Sequence, residues 1–234
     1  MTHRRIFSYV SRTAILSLLM TALTVAANAG TMAADKHRHK AEADSIPLFR
    51  GVAVSADLAG IAQLALSDYG QYEAALRINI RDRWLPVAEL GYGVADSEDP
   101  ITKLCYKTSS PYFRVGMDFN IAKNKHDDYR IYAGARYAFT YYKYDVWSVG
   151  LKDPVWGDDA DFRAMGLKSN YHWLEAVFGV DAKIAGPFRL GWSLRYRRRI
   201  SEGDNEMGNT WYVPGYGKQG STRLGATFNV TFEL

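Results

Sequence analysis

From Phe49 to the C-terminus the chain alternates apolar and other residues with a period of two, in eight stretches separated by turns. That period belongs to β-strands, because successive side chains point to opposite faces. The first stretch, Phe49–Leu58, puts Val52, Val54, Ala56 and Leu58 on one face. Gln71–Ile80 aligns Tyr72, Ala74, Leu76, Ile78 and Ile80, and Trp84–Val94 aligns Trp84, Pro86, Ala88, Leu90, Tyr92 and Val94. Pro111–Ile121 aligns Phe113 through Ile121, Tyr129–Tyr142 aligns Tyr129 through Tyr141, and His172–Ile184 aligns His172 through Ile184. Phe188–Arg197 aligns Phe188 through Tyr196, and Thr222–Leu234 aligns Leu224 through Leu234. The 45 positions on these faces include no Asp, Glu, Lys or Arg, although 23% of the chain is charged.

A soluble barrel also alternates, with its apolar face inward. Three features favour apolar-outward strands in a bilayer. The stretches run 10 to 14 residues, the length a tilted strand needs to cross. Several apolar faces have aromatic ends, as with Trp84 and Tyr92 or Phe188 and Tyr196, which suits interfacial girdles. The chain ends on a strand, with Phe228, Phe232 and Leu234 in phase, and this terminus resembles the C-terminal assembly signal of outer-membrane barrels. Connections alternate short (81–83, 122–128, 185–187) and long (59–70, 95–110, 143–171, 198–221). Short periplasmic turns and long extracellular loops give this rhythm. The expected fold is therefore all-β: an eight-stranded antiparallel transmembrane up-and-down β-barrel of the bacterial outer membrane, with periplasmic termini and extracellular long loops.

Residues 1–29 read as a signal peptide: Arg4, Arg5 and Arg12, then the apolar run Thr13–Val25, then Ala27-Asn28-Ala29. Residues 30–47 read as a polar periplasmic linker. Its Lys36-His37-Arg38-His39-Lys40 run is expected to be a solvated charge cluster and not a metal site. Residues 48–234 form the barrel. Without the three leader arginines, 26 basic residues face 25 acidic ones, so the balance gives no reason to expect nucleic acid as a partner. A single cysteine, Cys105, excludes an internal disulfide.

The faces opposite the apolar ones carry nine positive and seven negative side chains. An eight-stranded barrel has room inside only for side chains, and buried ions must pair. The expectation is a filled, ion-paired lumen built around Arg77, Arg114, Asp118, Arg130, Arg136, Glu175, Arg195 and Arg223, with inward glycines making room. A narrow pore is a lesser alternative. No nucleophile motif, phosphate-cradling loop or zinc spacing is present, so no catalytic residues, cofactor or metal are expected. The weak exception is a rim hydrolase built from His172, Ser169 and the acids Asp158, Asp159 and Asp161. Two long loops carry aromatics, with Trp147, Trp156 and Phe162 in one and Trp211, Tyr212 and Tyr216 in the other. These are candidate partner-docking residues, unless the loops pack on one another and cap the barrel.

At Asp68-Tyr69-Gly70-Gln71-Tyr72-Glu73-Ala74, Glu89-Leu90-Gly91-Tyr92-Gly93 and Tyr106–Asp118 the chain resembles a family of small outer-membrane barrels of unknown function. The resemblance implies the fold and the location, and brings no catalytic residues or substrate. The expected role is a non-enzymatic barrel acting as an accessory or scaffold subunit of a larger outer-membrane complex, for outer-membrane protein assembly or surface-lipoprotein export. The alternatives are a free-standing adhesin or envelope-stabilising barrel, and then a rim lipid enzyme. Expected partners are outer-membrane lipids, including lipopolysaccharide, and proteins in the outer membrane or at the cell surface.

Overall fold

The computed structural model describes residues 47–148, 161–203, 208 and 210–234. The signal-peptide and linker expectations lie outside those residues. Eight long strands close into an antiparallel barrel in the order β1-β10-β7-β6-β5-β4-β3-β2. They are β1 (Phe49–Asp57), β2 (Tyr69–Ile80), β3 (Trp84–Glu98), β4 (Leu104–Asn120), β5 (Tyr129–Ser148), β6 (Phe162–Ala185), β7 (Phe188–Glu202) and β10 (Thr222–Glu233). A short helix, α1 (Leu58–Leu66), follows β1, and a small hairpin, β8 (Tyr212–Val213) with β9 (Gly217–Lys218), lies between β7 and β10.

The register is the one the alternation predicts. Val54, Leu76, Leu90, Val115, Tyr137, Phe178, Leu194 and Leu224 are exposed, while Glu73, Glu89, Arg114, Asp118, Arg136, Glu175 and Arg195 are buried inside. Along β4 and the residue that follows it the uncharged outward face runs from Pro111 to Ile121. Ten steps of about 3.3 Å at a tilt of about 40° give a band about 25 Å tall, the apolar height of a membrane barrel. Charge on the lipid face would cost about 2–4 kcal/mol at mid-bilayer for Arg or Lys, which explains its absence there.

Strand length departs from expectation. β3 to β6 continue past the band: β4 and β5 pair up to Leu104↔Ser148, and β5 and β6 up to Ser148↔Phe162. Much of the sequence assigned to long loops is therefore paired strand. At these heights the polarity reverses. Tyr106, Tyr142, Tyr144 and Tyr171 are buried inside, while Lys107, Lys143 and Lys168 point outward. This is the pattern of a barrel wall standing in water, and this upper part is called the crown below.

The opposite side of the wall is short. β1 pairs with β10 only from Ala53↔Glu233 to Asp57↔Asn229, and with β2 up to Ala56↔Ala74. Above that level α1 fills the gap, packed against β2 and β10. Asp57 is its N-cap, its carboxylate accepting from the backbone N–H of Ala59 at 3.0 Å and Gly60 at 3.2 Å. The same carboxylate accepts from the Phe228 N–H at 3.0 Å, where a further β1 carbonyl would otherwise pair. A Cβ on Gly60 would lie 2.5 Å from the Gln71 carbonyl, and one on Gly70 would lie 2.6 Å from Leu64, so two glycines let the helix close on β2. Leu58, expected on a strand, is instead the first residue of this helix.

Candidate functional site

Inward side chains fill the lumen in two tiers of ion pairs. At bilayer level Arg114 Nη1 pairs with Glu73 and, at 3.0 Å, with Glu89, while its Nε lies 3.0 Å from Glu175. Arg195 reaches Glu73 at 2.9 Å and Glu89 at 2.8 Å, and Arg136 bridges Glu89 at 2.5 Å and Asp118 at 2.9 Å. Arg197 lies 3.1 Å from Glu175, which also accepts from the Trp173 indole at 2.7 Å. Below this, Arg77 links Asp118 at 3.1 Å to Asp181 at 3.4 Å. Arg189 pairs with Asp181 at 2.7 Å, and Arg130 with Glu233 at 2.5 Å. Glycines admit the large groups: a Cβ on Gly91 would lie 2.1 Å from the Tyr112 ring, and one on Gly179 would lie 2.4 Å from Tyr132.

Seven of the eight predicted lumen residues join this network. Arg223 does not: it lies near the loop-end rim, where its Nε donates to the Lys218 carbonyl at 2.7 Å. Lys183 is exposed at the turn end. Without these two, the nine inward cations expected from sequence become seven arginines, which match seven inward carboxylates, Asp57 among them. Glu73, Glu89, Asp181, Arg189, Arg197 and Glu233 share the inward face and belong to the network as fully as the residues singled out from sequence.

The turn end closes on Asp82, in a turn where Arg81 and Asp82 both have φ 54°. Asp82 accepts from Asn79 at 2.6 Å, lies 2.7 Å from His126 Nδ1, and pairs with Arg50 at 3.0 Å. Burial acts to raise its pKa. The hydrogen bonds from Asn79 and His126 and the charges of Arg50 and Arg130 outweigh that and hold it below the ordinary carboxylate value.

The loop end closes by a different device. The β8–β9 hairpin folds into the crown, burying Tyr212, Val213 and Tyr216 among Tyr106, Tyr112, Tyr142, Tyr144, Tyr171 and Trp173. Its Pro214–Gly215 turn lies against Gly93 and Tyr112. Gly215 has φ 79°, and its carbonyl accepts from Arg114 at 2.7 Å, while the Tyr216 carbonyl accepts from Arg197 at 2.9 Å. The hydrogen-bonding capacity that carboxylates leave free on two lumen arginines is thus used by a loop backbone. This corrects the docking expectation for Tyr212 and Tyr216: both are 2% exposed or less, so they cap the barrel. Trp211 is half-buried with its ring edge-on to Tyr69 at 5.7 Å. Trp147 is half-buried in β5, Phe162 is exposed at the start of β6, and Trp156 lies outside the described residues. The sequence signal for the plug was Tyr212-Val213-Pro214-Gly215-Tyr216, an apolar hairpin turn in an otherwise polar loop.

The rim triad is not assembled. β6 extends through the segment expected to be a loop, so residues three apart lie on opposite faces. Ser169 is buried facing inward, whereas His172 faces outward and its Nδ1 lies 2.7 Å from the Tyr137 hydroxyl. Asp161 is exposed at the crown, and Asp158 and Asp159 lie outside the described residues. Among the described residues no cluster of His, Cys, Asp or Glu could hold a metal ion.

No curated protein matches the chain. Three similar solved structures are Neisserial surface protein A (13% identity, 80% of this chain and 99% of that one, TM-score 0.45), CarO2 of Acinetobacter baumannii (12%, 80% and 99%, 0.40) and the N-terminal β-barrel domain of Pseudomonas aeruginosa OprF (12%, 79% and 97%, 0.38). Residues 6–234 match the family described as a domain of unknown function, DUF6048. The match spans nearly the whole sequence, so this chain, a closed eight-stranded barrel, belongs to the DUF6048 family.

Proposed function

We propose that this barrel is a sealed outer-membrane anchor, serving as an accessory or scaffold subunit of a larger outer-membrane assembly, with outer-membrane protein biogenesis or surface-lipoprotein export as the host pathway. The observation that carries the reading is a lumen occupied by ion pairs and an inserted hairpin, combined with a crown that displays apolar side chains in water. Ile101 is 88% exposed and Met165 57% exposed, with Leu104 and Phe162 also exposed. These residues stand on the β3–β4 and β5–β6 hairpins. Large apolar side chains above the lipid are the composition of a docking surface. In this reading the termini are periplasmic and the crown faces the cell surface.

A free-standing adhesin would use the same crown, and the two separate experimentally. The tagged native protein, extracted in mild detergent, is expected to carry stoichiometric protein partners identifiable by mass spectrometry. Ile101→Ser with Met165→Ser is expected to release them without changing the level of folded barrel. A lone monomer from wild-type cells would contradict the subunit role and favour the adhesin.

A further inference from the structure

On the outward face of β5 and β6 the paired residues form a graded column. Tyr137 stands opposite Leu174, Phe139 opposite His172, Tyr141 opposite Asn170, and Lys143 opposite Lys168. The lower rungs are apolar and aromatic, and His172 lies within 6.2 Å of the Tyr137, Phe139 and Tyr141 rings, centroid to centroid. From the histidine rung to the lysine rung is four residues, about 13 Å along the strand and about 10 Å along the membrane normal. That distance carries the column from the edge of the hydrocarbon through the headgroup layer.

The top rung is anomalous. Like charges directly opposite each other on a sheet face destabilise the pairing. Lys143 and Lys168 are both exposed, and no ion pair or hydrogen bond engages either ammonium group among the described residues. Asp145, the nearest acid on the same face of β5, accepts from the Gly166 N–H at 2.6 Å. Lys107, an outward lysine of the neighbouring strand, is neutralised by Asp96 at 2.9 Å. Beside these two lysines is a groove of about 400 Å³ lined by Tyr141, Lys143, Lys168 and Asn170, with Tyr142, Ser169 and Gly203 completing its wall.

We propose that Lys143 and Lys168 bind the phosphate of a phosphorylated glycolipid in the surrounding outer leaflet. The sugar sits against Tyr141 and Asn170 in the groove, and an acyl chain runs down over Phe139, His172 and Leu174. A phosphate between the two ammonium groups turns a repulsive pair into two attractive ones. The proposal rests on the membrane-spanning reading and names one lipid class that this face of the barrel selects.

The test uses the full barrel, refolded in neutral micelles, with diphosphoryl lipid A as probe and the same glycolipid stripped of its phosphates as comparison. Wild type is expected to prefer the phosphorylated probe by about tenfold or more. Lys143→Gln with Lys168→Gln should abolish that preference, whereas Lys107→Gln should keep it. Lys168→Glu should also lose the preference while melting no lower than wild type, because it converts the repulsion into an ion pair. That variant separates lost binding from lost folding. Equal wild-type affinity for the two probes, or an unchanged preference in the double variant, would overturn the site. Competition by inorganic phosphate as strong as that by the glycolipid would overturn the lipid assignment. Insertion into phosphatidylcholine liposomes is read separately. A protein that inserts but shows no phosphate preference refutes this site alone, and one that fails to insert refutes the membrane barrel itself.

Discussion

The bilayer-level barrel and the crown are built on the same strands with the same period of two, yet their polarity is opposite. At bilayer level Glu89, Arg114 and Arg136 are inside and Leu90, Val115 and Tyr137 outside. In the crown Tyr106, Tyr144 and Tyr171 are inside and Lys107, Lys143 and Lys168 outside. The contrast shows that the surrounding medium, not the sheet, decides which face is apolar. Lipid excludes charge from the outer face, and water rewards it. Each interior is then filled by what its wall leaves available: ion pairs below and stacked aromatics above. They meet at Arg114 and Arg197, whose guanidinium groups pair with lumen carboxylates and donate to hairpin carbonyls.

Breaking that junction should have the largest effect. Arg114→Ala leaves Glu73, Glu89 and Glu175 short of a cation in a closed space, and is expected to destabilise the barrel by about 3–5 kcal/mol, read as a lower denaturant midpoint in liposomes. Gly215→Val strikes the same junction from the hairpin side. Its Cβ would lie 2.4 Å from the Tyr112 ring at a positive φ, which is expected to cost about 1–3 kcal/mol and to eject the hairpin, read as a red shift in Trp211 emission. On the short side of the wall one carboxylate ties α1 to β10. Asp57→Ala should cost about 1–2 kcal/mol by uncapping α1 and freeing the Phe228 N–H, which should raise amide exchange in α1 while leaving β5 and β6 protected.

The smallest effect concerns pH at the turn end. Asp82 titrates below its ordinary value of 3.8 in the folded protein. Its contribution to stability is therefore complete above that value and is lost as pH falls through the lowered one. Asp82→Asn should narrow the difference in melting temperature between about pH 6 and about pH 2. An unchanged difference would remove Asp82 from the account of that closure.

The strand registers were legible in the sequence because lipid exclusion acts on every outward residue; a one-residue slip on β4 would put Arg114 and Asp118 in the bilayer. The upper ends of β3 to β6 were not legible. Where water replaces lipid the apolar face switches sides, so a pattern tracked as apolar-outward stops at Tyr141 although β5 continues to Ser148. Helix α1 was missed for a different reason. Asp57 before Leu58-Ala59-Gly60-Ile61-Ala62 is a recognisable N-cap and helix start, but Leu58 is also in phase with Val54 and Ala56 as a strand residue. The lumen charges were legible as a set and not as pairs, since partners such as Arg195 and Glu89 are joined only by barrel closure. Arg223 shares their phase, and only the height of the strand end places it at the rim.

The most direct test of a lumen closed at both ends is single-channel recording of the wild-type barrel in a planar lipid bilayer. Current at the bare-membrane baseline across applied voltages, with insertion verified by protease protection, is the result expected of a barrel filled by seven arginines, seven carboxylates and an inserted hairpin. Stable unitary conductance steps from the folded wild-type protein would contradict it.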